Sequence, residues 1–112
     1  MDCVVIESPY GAPNQAGIDR NVAYARACVR DSLQRGEAPI ASHLLHTQEG
    51  ILRDEVPEER TLGINAGHAW IPKAEGVAVY EDLGISGGMR IGIAVAEAAG
   101  TPVEYRKLGG EW

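Results

Sequence analysis

The sequence predicts an α/β protein built on an open, mostly parallel four-stranded sheet with flanking helices. Four short apolar runs alternate with stretches long enough for helices, and turns containing Gly or Pro separate them. The runs are residues 4–8, 38–45, 77–82 and 102–107. This βαβαβαβ order fits one domain over residues 1–112, because 112 residues is an ordinary length for a single domain.

The first half of the chain predicts two strands joined by a long helix. The run 4–8 stops at a Pro-Tyr-Gly turn, as expected of a buried first strand. Apolar residues at helical spacing predict a helix over residues 19–35 that stops at Gly36. These apolar residues are Val22, Ala25, Val29 and Leu33. The run 38–45 then suits a parallel strand reached by a right-handed crossover.

The second half predicts two more helices and two more strands. Pro57 can open a helix at its first turn, and this helix runs towards Trp70. After the third strand, an apolar stripe predicts a helix over residues 89–99, capped by Gly100. The stripe consists of Ile91, Val95 and Ala98. Pro102 indicates that the fourth run is an edge strand or that the proline is its first residue.

Composition and charge exclude several classes of function. The net charge of −6 opposes binding to a phosphate backbone, so no nucleic-acid polymer is expected as a partner. Cys3 and Cys28 form no CxxC pair, and we expect both to be buried small hydrophobes in a reduced compartment. No two histidines have the i, i+4 spacing of a helical metal pair, so no metal is expected. The apolar runs are too short for a membrane span, which favours a cytoplasmic protein.

The loops after the first and third strands are the candidate site, because the carboxyl ends of parallel strands meet at one edge of a sheet. One loop is Ser8-Pro9-Tyr10-Gly11, and the other is the glycine-rich segment 82–90. Residues 43–48, at the end of the second run, are expected at the same edge of the sheet. Glycines let the backbone approach a ligand, and free N–H groups at a helix start suit a phosphate or a polar sugar. The predicted ligand-binding residues of these loops are Ser8, Pro9, Tyr10, Asp82, Ser86, Gly87, Gly88, Met89 and Arg90.

Five of the candidate side chains carry specific expectations. Asp82 can accept hydrogen bonds from two ribose hydroxyls, or it caps a turn. Arg90 opposes the helix dipole at a cost that a bound phosphate would offset, or it is a surface arginine. His43 can hydrogen-bond a ligand or shuttle a proton, with a structural role as the alternative. Arg20 and Asn21 open the first helix, where they face the ligand or simply start the helix.

These motifs resemble the nucleoside 2-deoxyribosyltransferase-like superfamily, and more closely the small uncharacterised phage proteins of that type. The shared features are a first strand ending in Ser-Pro-aromatic, a third strand ending in Asp, a Ser/Gly-rich turn into a small-residue helix, and then Gly and Pro-Val. The resemblance covers nearly the whole chain. It implies a flavodoxin-like or Rossmann-like sheet, often in dimers or hexamers, with a nucleoside or nucleotide lying across the strand ends.

The sequence differs from that superfamily at the position of its catalytic glutamate. Enzymes of that superfamily attack the anomeric carbon of the sugar with a glutamate one turn into the helix after the glycine-rich loop, assisted by an aromatic hydroxyl. Tyr10 matches the aromatic residue, whereas Gly92 stands at the glutamate and Glu97 comes more than a turn too late. Asp82 or Glu7 could supply a carboxylate only by a different geometry, so the catalytic residues stay unassigned.

The leading hypothesis is therefore a binding protein for a nucleotide or an ADP-ribose-like molecule, as in small phage proteins that sequester nucleotide-derived immune signals of their hosts. The alternative is an N-glycosidase or nucleoside deoxyribosyltransferase with a rearranged acid. A third reading is a scaffold that works through a partner surface such as Trp70 or residues 109–112. We expect a nucleotide or nucleoside ligand, a homo-oligomer in the bacterial cytoplasm if the chain is phage-encoded, and no cofactor, metal or membrane partner.

Overall fold

A parallel sheet of four strands forms the centre of the protein, and a computed structural model describes all of residues 1–112. The strands are β1 (Cys3–Glu7), β2 (Ala38–Ile40), β3 (Gly76–Tyr80) and β4 (Val103–Arg106). The helices are α1 (Gln15–Gln34), α2 (Ser42–His46), α3 (Pro57–Trp70) and α4 (Gly87–Ala99), with a 3₁₀ turn at Ile71–Lys73. This architecture confirms the predicted fold class, an open parallel α/β sheet with flanking helices.

The order of the strands places a change of direction between β1 and β3. The sheet runs β2-β1-β3-β4, and Val5 of β1 pairs with Ile40 on one side and Val77 on the other. The chain leaves β1 towards β2 and then returns past β1 to reach β3. Connections that diverge from two neighbouring strands leave a crevice outside their carboxyl ends. That crevice is the place where the fold favours a ligand.

Side-chain alternation along β1 divides the core into two layers. Val4 and Ile6 pack with residues of α1, including Tyr24 and Cys28. Val5 packs on the opposite face with Met89 and Ile93 of α4. Because successive strand residues point to opposite faces, the side chain of Glu7 points to the α4 face and that of the next residue, Ser8, to the α1 face.

The bounds of two predicted elements differ clearly from the structure, and most of the others differ by one or two residues. The run 38–45 is a strand only as far as Ile40, and the short helix α2 follows it. A short apolar run fits a buried strand and a buried helix equally well, so periodicity could not divide it. α1 begins four residues earlier than predicted, because the side chain of Asn14 caps it by accepting a hydrogen bond from the Gly17 N–H.

Two predictions of burial are wrong. The predicted stripe of α4 is wrong for two of its three residues: Val95 packs against the core, but Ile91 is 58% exposed and Ala98 is exposed. The buried residues of α4 include Met89, Ile93 and Ala96. α4 is apolar nearly all round, so its sequence does not mark the buried face. Cys3 is exposed at the start of β1, whereas Cys28 is buried as expected.

The bounds of α3 and the edge position of β4 are confirmed. Gly100 ends α4 in the left-handed conformation, with φ at 74°. No helix combines the length and the apolar character that a membrane crossing needs.

Candidate functional site

A crevice lies at the carboxyl ends of β1 and β3, where the topology predicts a ligand site. One wall is built from the end of β1 and the start of α4. The other wall is built from α2, the loop of residues 47–56 and α3. Residues of three stretches that are distant in the sequence, 5–18, 42–68 and 86–91, therefore share one concave surface.

Glu7 places a carboxyl group in the wall of this crevice. It is the last residue of β1, and its side chain is directed to the α4 face of the sheet. Burial raises its pKa from an ordinary 4.5 to about 8, and no hydrogen-bond donor offsets that effect. Carboxyl groups that are desolvated and left without partners are typical of functional sites, because folding alone does not favour them.

Gly92 of α4 provides the space that the Glu7 carboxyl group occupies. A Cβ atom at position 92 would lie 2.7 Å from Cδ of Glu7, far inside van der Waals contact. The backbone of Gly92 is ordinary α-helix, so no positive φ requires a glycine there. Glycine at this position is therefore explained by the carboxyl group that packs against it.

Ser8 and His43 form a hydrogen-bonded pair on the other face of the sheet. Ser8 Oγ lies 2.9 Å from His43 Nε2, and the ring of Tyr10 meets the His43 imidazole edge-on with 6.1 Å between centroids. Burial lowers the pKa of His43 to about 4, so the imidazole is neutral at pH 7. The Thr47 hydroxyl donates to the backbone carbonyl of His43 at the end of α2.

The start of α4 contributes backbone to the crevice. The Ser86 side chain caps the helix by accepting a hydrogen bond from the Met89 N–H at 3.3 Å. Gly87 and Gly88 have no positive φ, and a Cβ on either would meet no atom within 4 Å. Neither backbone conformation nor packing requires these two glycines, and both line the crevice. Their backbone is thus open to close approach by a ligand.

The structure brings most of the predicted binding residues together. Those that line the crevice are Ser8, Tyr10, His43, Ser86, Gly87, Gly88 and Met89. Pro9 is buried beside them, and the Asn21 amide donates to the Tyr10 carbonyl at 2.8 Å, so it shapes the loop from behind. Arg90 is exposed and does not line the crevice. Contact of any of these residues with a ligand stays a prediction.

Asp82 lies in a different place and has internal partners. Its carboxylate accepts hydrogen bonds from the Tyr24 hydroxyl at 2.6 Å and from the N–H groups of Leu108 and Gly109. Burial alone would raise the pKa of Asp82, but these donors together lower it below its ordinary value. Asp82 and Arg20 line a groove against the C-terminal segment instead of the main crevice. The carboxylate thus anchors that segment, and its predicted contact with ribose remains untested.

Sequence reasoning mentioned Glu7 only as a carboxylate that would need a different geometry, and did not include it among the candidate site residues. The structure makes its side chain the most prominent one in the crevice wall. The signal was a single charged residue closing the apolar run Val4-Val5-Ile6. Glu7 is two residues after Val5 on the same strand, so both side chains point to the α4 face. The contact of Glu7 with Gly92 depends on the tertiary fold. The contribution of α3, and of the loop beyond residue 48, to the crevice was also missed. No group of three or more His, Cys, Asp or Glu side chains converges as a metal site.

The parallel sheet and the crevice at its change of direction define an α/β protein of the nucleoside 2-deoxyribosyltransferase fold. A solved structure of a 2-deoxyribosyltransferase from the psychrotolerant bacterium Bacillus psychrosaccharolyticus matches with a TM-score of 0.60 over 98% of this chain and 75% of that chain. The two sequences are 18% identical, so the similarity concerns the fold. The chain belongs to the family described as domain of unknown function DUF7768, which matches residues 2–106. No curated protein matches the sequence.

Proposed function

We propose that the protein breaks the N-glycosidic bond of a nucleoside-type substrate and that Glu7 is its reactive carboxylate. The observation that carries this proposal is the packing of the Glu7 carboxyl group into the space left by Gly92 in the crevice wall. The sequence favoured a binding protein because Gly92 stands where the resemblance implies a catalytic glutamate. Glu7 supports the enzyme instead, since it brings a carboxyl group to that part of the site from β1.

The carboxyl group has the environment that a nucleophile needs. In the first step an oxygen of ionised Glu7 bonds to the anomeric carbon, the carbon–nitrogen bond breaks, and the base leaves with the electron pair and takes up a proton. In the second step water bonds to the same carbon, the ester bond to Glu7 breaks and the water's extra proton returns to solvent. A second base in place of water would give transfer. A carboxylate with few solvating partners is reactive and stabilises positive charge on the sugar.

The neighbouring polar groups suit recognition of the sugar. The Ser8 hydroxyl and the neutral His43 imidazole are held to each other and line the crevice. Tyr10 is half-buried in the same wall and matches the aromatic position of the superfamily that the sequence resembles. We assign Tyr10 to a hydrogen bond with the substrate or with Glu7, and Ser8 and His43 to holding the sugar in place.

A second candidate function is binding without turnover. The open backbone at Gly87 and Gly88 favours it, because the sugar of a nucleotide or of an ADP-ribose-like ligand could approach this backbone whatever the reactivity of Glu7. Sequestration of a host signal by a phage protein, in the cytoplasm and as an oligomer, is the specific form of this candidate. Recovery of an intact nucleotide from denatured protein, with no free base, would favour it.

The test is release of free base from a panel of ribonucleosides, 2′-deoxyribonucleosides and their 5′-monophosphates, followed by chromatography. We expect release by the wild type and a loss of at least about 100-fold in Glu7→Gln. The rate of the wild type at low substrate should rise with pH up to about 8, because ionised Glu7 is the attacking form. Glu97→Gln makes the same chemical change at an exposed site on α4 and should retain the rate.

The Glu7 proposal fails if folded Glu7→Gln releases base as fast as the wild type. Circular dichroism confirms that each variant is folded before its rate is compared. Binding of the same compounds without any release of base would support the second candidate function.

A further inference from the structure

We infer that the crevice selects nucleosides without a phosphate and discriminates against the matching 5′-phosphates. This inference rests on the proposed function, because it names the substrate class of the same site. Three features support it: the charged residues that line the crevice, the Ser86 cap at the start of α4, and the Glu7 carboxyl group that no protein group pairs with.

Carboxylates outnumber cations in the lining of the crevice. Apart from Glu7, whose raised pKa leaves it largely protonated at pH 7, four acidic residues of the loop and of α3 line it, namely Glu49, Asp54, Glu55 and Glu59. The whole chain has a net charge of −6, so the long-range field also opposes an anionic ligand. Like charges brought together at a binding surface cost several kcal/mol of affinity in typical complexes.

The cations in the lining belong to one wall only. Arg53 lies on the loop and Arg60 on α3, and the wall formed by β1 and α4 contributes none. The neutral His43 adds no positive charge on the side of the strand ends. Arg90, the arginine nearest to the start of α4, is exposed and outside the crevice. A phosphate next to the strand ends would therefore find no cation there.

The start of α4 is a poor phosphate site although its backbone is open. Ser86 already accepts the hydrogen bond of the Met89 N–H, which removes one of the free donors of the helix. Gly88 is one helical turn before Gly92, where the Glu7 carboxyl group lies. An anion bound at the helix start would thus lie about one turn from that carboxyl group.

Glu7 is free to pair with a hydroxyl group of a ligand, because no group of the protein donates a hydrogen bond to its carboxyl oxygens. A sugar hydroxyl can donate to the ionised carboxylate and can accept from the protonated form. A 5′-phosphate lacks the hydroxyl at that end of the sugar and adds negative charge that ionised Glu7 repels.

Calorimetric titration of the wild-type protein with C-nucleosides tests this inference apart from catalysis, because their carbon–carbon glycosidic bond is not cleaved. The probes are pseudouridine and formycin, each compared with its 5′-monophosphate. We expect each nucleoside to bind at least about tenfold more tightly than its phosphate. The difference in affinity between each nucleoside and its monophosphate should shrink when the salt concentration is raised from about 0.05 to about 0.5 M. Salt screens the repulsion between the phosphate and the acidic residues of the crevice.

A pair of variants locates the cause of the discrimination. Asp54→Asn/Glu55→Gln removes two charges from the lining and should narrow the ratio of the two affinities. Asp2→Asn/Glu97→Gln removes two charges from exposed positions outside the crevice and should leave the ratio near that of the wild type.

Equal or tighter binding of the monophosphates overturns the inference and assigns a phosphate to Arg53 and Arg60. Failure of both nucleosides to bind overturns it as well. The proposed function is judged separately by the release of base from cleavable substrates, so either proposal can fail while the other stands.

Discussion

Glu7 is half-buried and accepts no hydrogen bond from the protein, and the desolvation of its carboxyl group makes it costly for folding. A desolvated carboxyl group remains in a fold when surrounding structure and function require it. Here the surrounding structure includes Gly92, whose lack of a side chain leaves the space. The sequence showed both residues but could not show that they touch, because the contact joins the first strand to the last helix.

The desolvation of the Glu7 carboxyl group predicts how the free energy of unfolding depends on pH. Its pKa of about 8 in the folded protein lies above its ordinary value of 4.5, so the folded state holds the proton more tightly. The free energy of unfolding should therefore fall as pH rises from about 4.5 to about 8. Glu7→Gln does not titrate and should be more stable than the wild type by roughly 2–4 kcal/mol at pH 9, since each unit of pKa difference contributes about 1.4 kcal/mol.

Urea unfolding of both proteins at pH 5, 7 and 9 measures the effect. The free energy of unfolding of Glu7→Gln should exceed that of the wild type by an amount that grows with pH. The free energy of unfolding of Glu97→Gln should differ from that of the wild type by the same amount at all three pH values. Parallel pH profiles for Glu7→Gln and the wild type would show that the carboxyl group is not desolvated.

At the scale of elements, local signals in the sequence predicted some parts of the fold well and others poorly. Pro57 marked the start of α3, and Pro102 was consistent with β4 as an edge strand. The division of residues 38–45 into β2 and α2 is set by tertiary packing, including that of Leu44 against the α1 layer. The buried face of α4 depends on which side meets the sheet, and an apolar helix does not reveal this.

Asp82 connects the end of β3 to the C-terminal segment, and this connection can be tested. Asp82→Asn removes a charged acceptor from Tyr24, Leu108 and Gly109, and should lower the free energy of unfolding by about 1–3 kcal/mol at pH 7. The loss should shrink in acid, because the lowered pKa of Asp82 stabilises the fold only above the pKa that it has when unfolded. The fluorescence of Trp112, which packs on Tyr24, reports loosening of the segment.

Asp82→Asn also distinguishes a structural role of Asp82 from contact with a ligand. We expect base release by the folded variant to match that of the wild type, because Asp82 does not line the crevice. A loss of ligand affinity with unchanged stability would instead support the contact with ribose that the sequence suggested. Glu81→Gln, at the neighbouring position, is the matched control for loss of one negative charge.

At the scale of the whole molecule, the strand order decides where chemistry can take place. The reversal between β1 and β3 opens the crevice at one edge of the sheet, and the predicted loops after these strands do meet there. The general location of the candidate site could therefore be read from the alternation of strands and helices. The residues of the opposite wall, on α3 and the preceding loop, could not, because their position depends on how α3 packs against α2.

The central claim is that one carboxyl group is needed in the crevice and that Glu7 supplies it from β1 in place of residue 92 on α4. The most direct measurement compares base release by Glu7→Ala with that by Glu7→Ala/Gly92→Glu, which moves the carboxyl group to the helix. We predict that the single variant is inactive and that the double variant regains at least about tenfold over it, because the two residues share one space. A folded Glu7→Ala with the wild-type rate, or a folded double variant no faster than the single one, would contradict the claim.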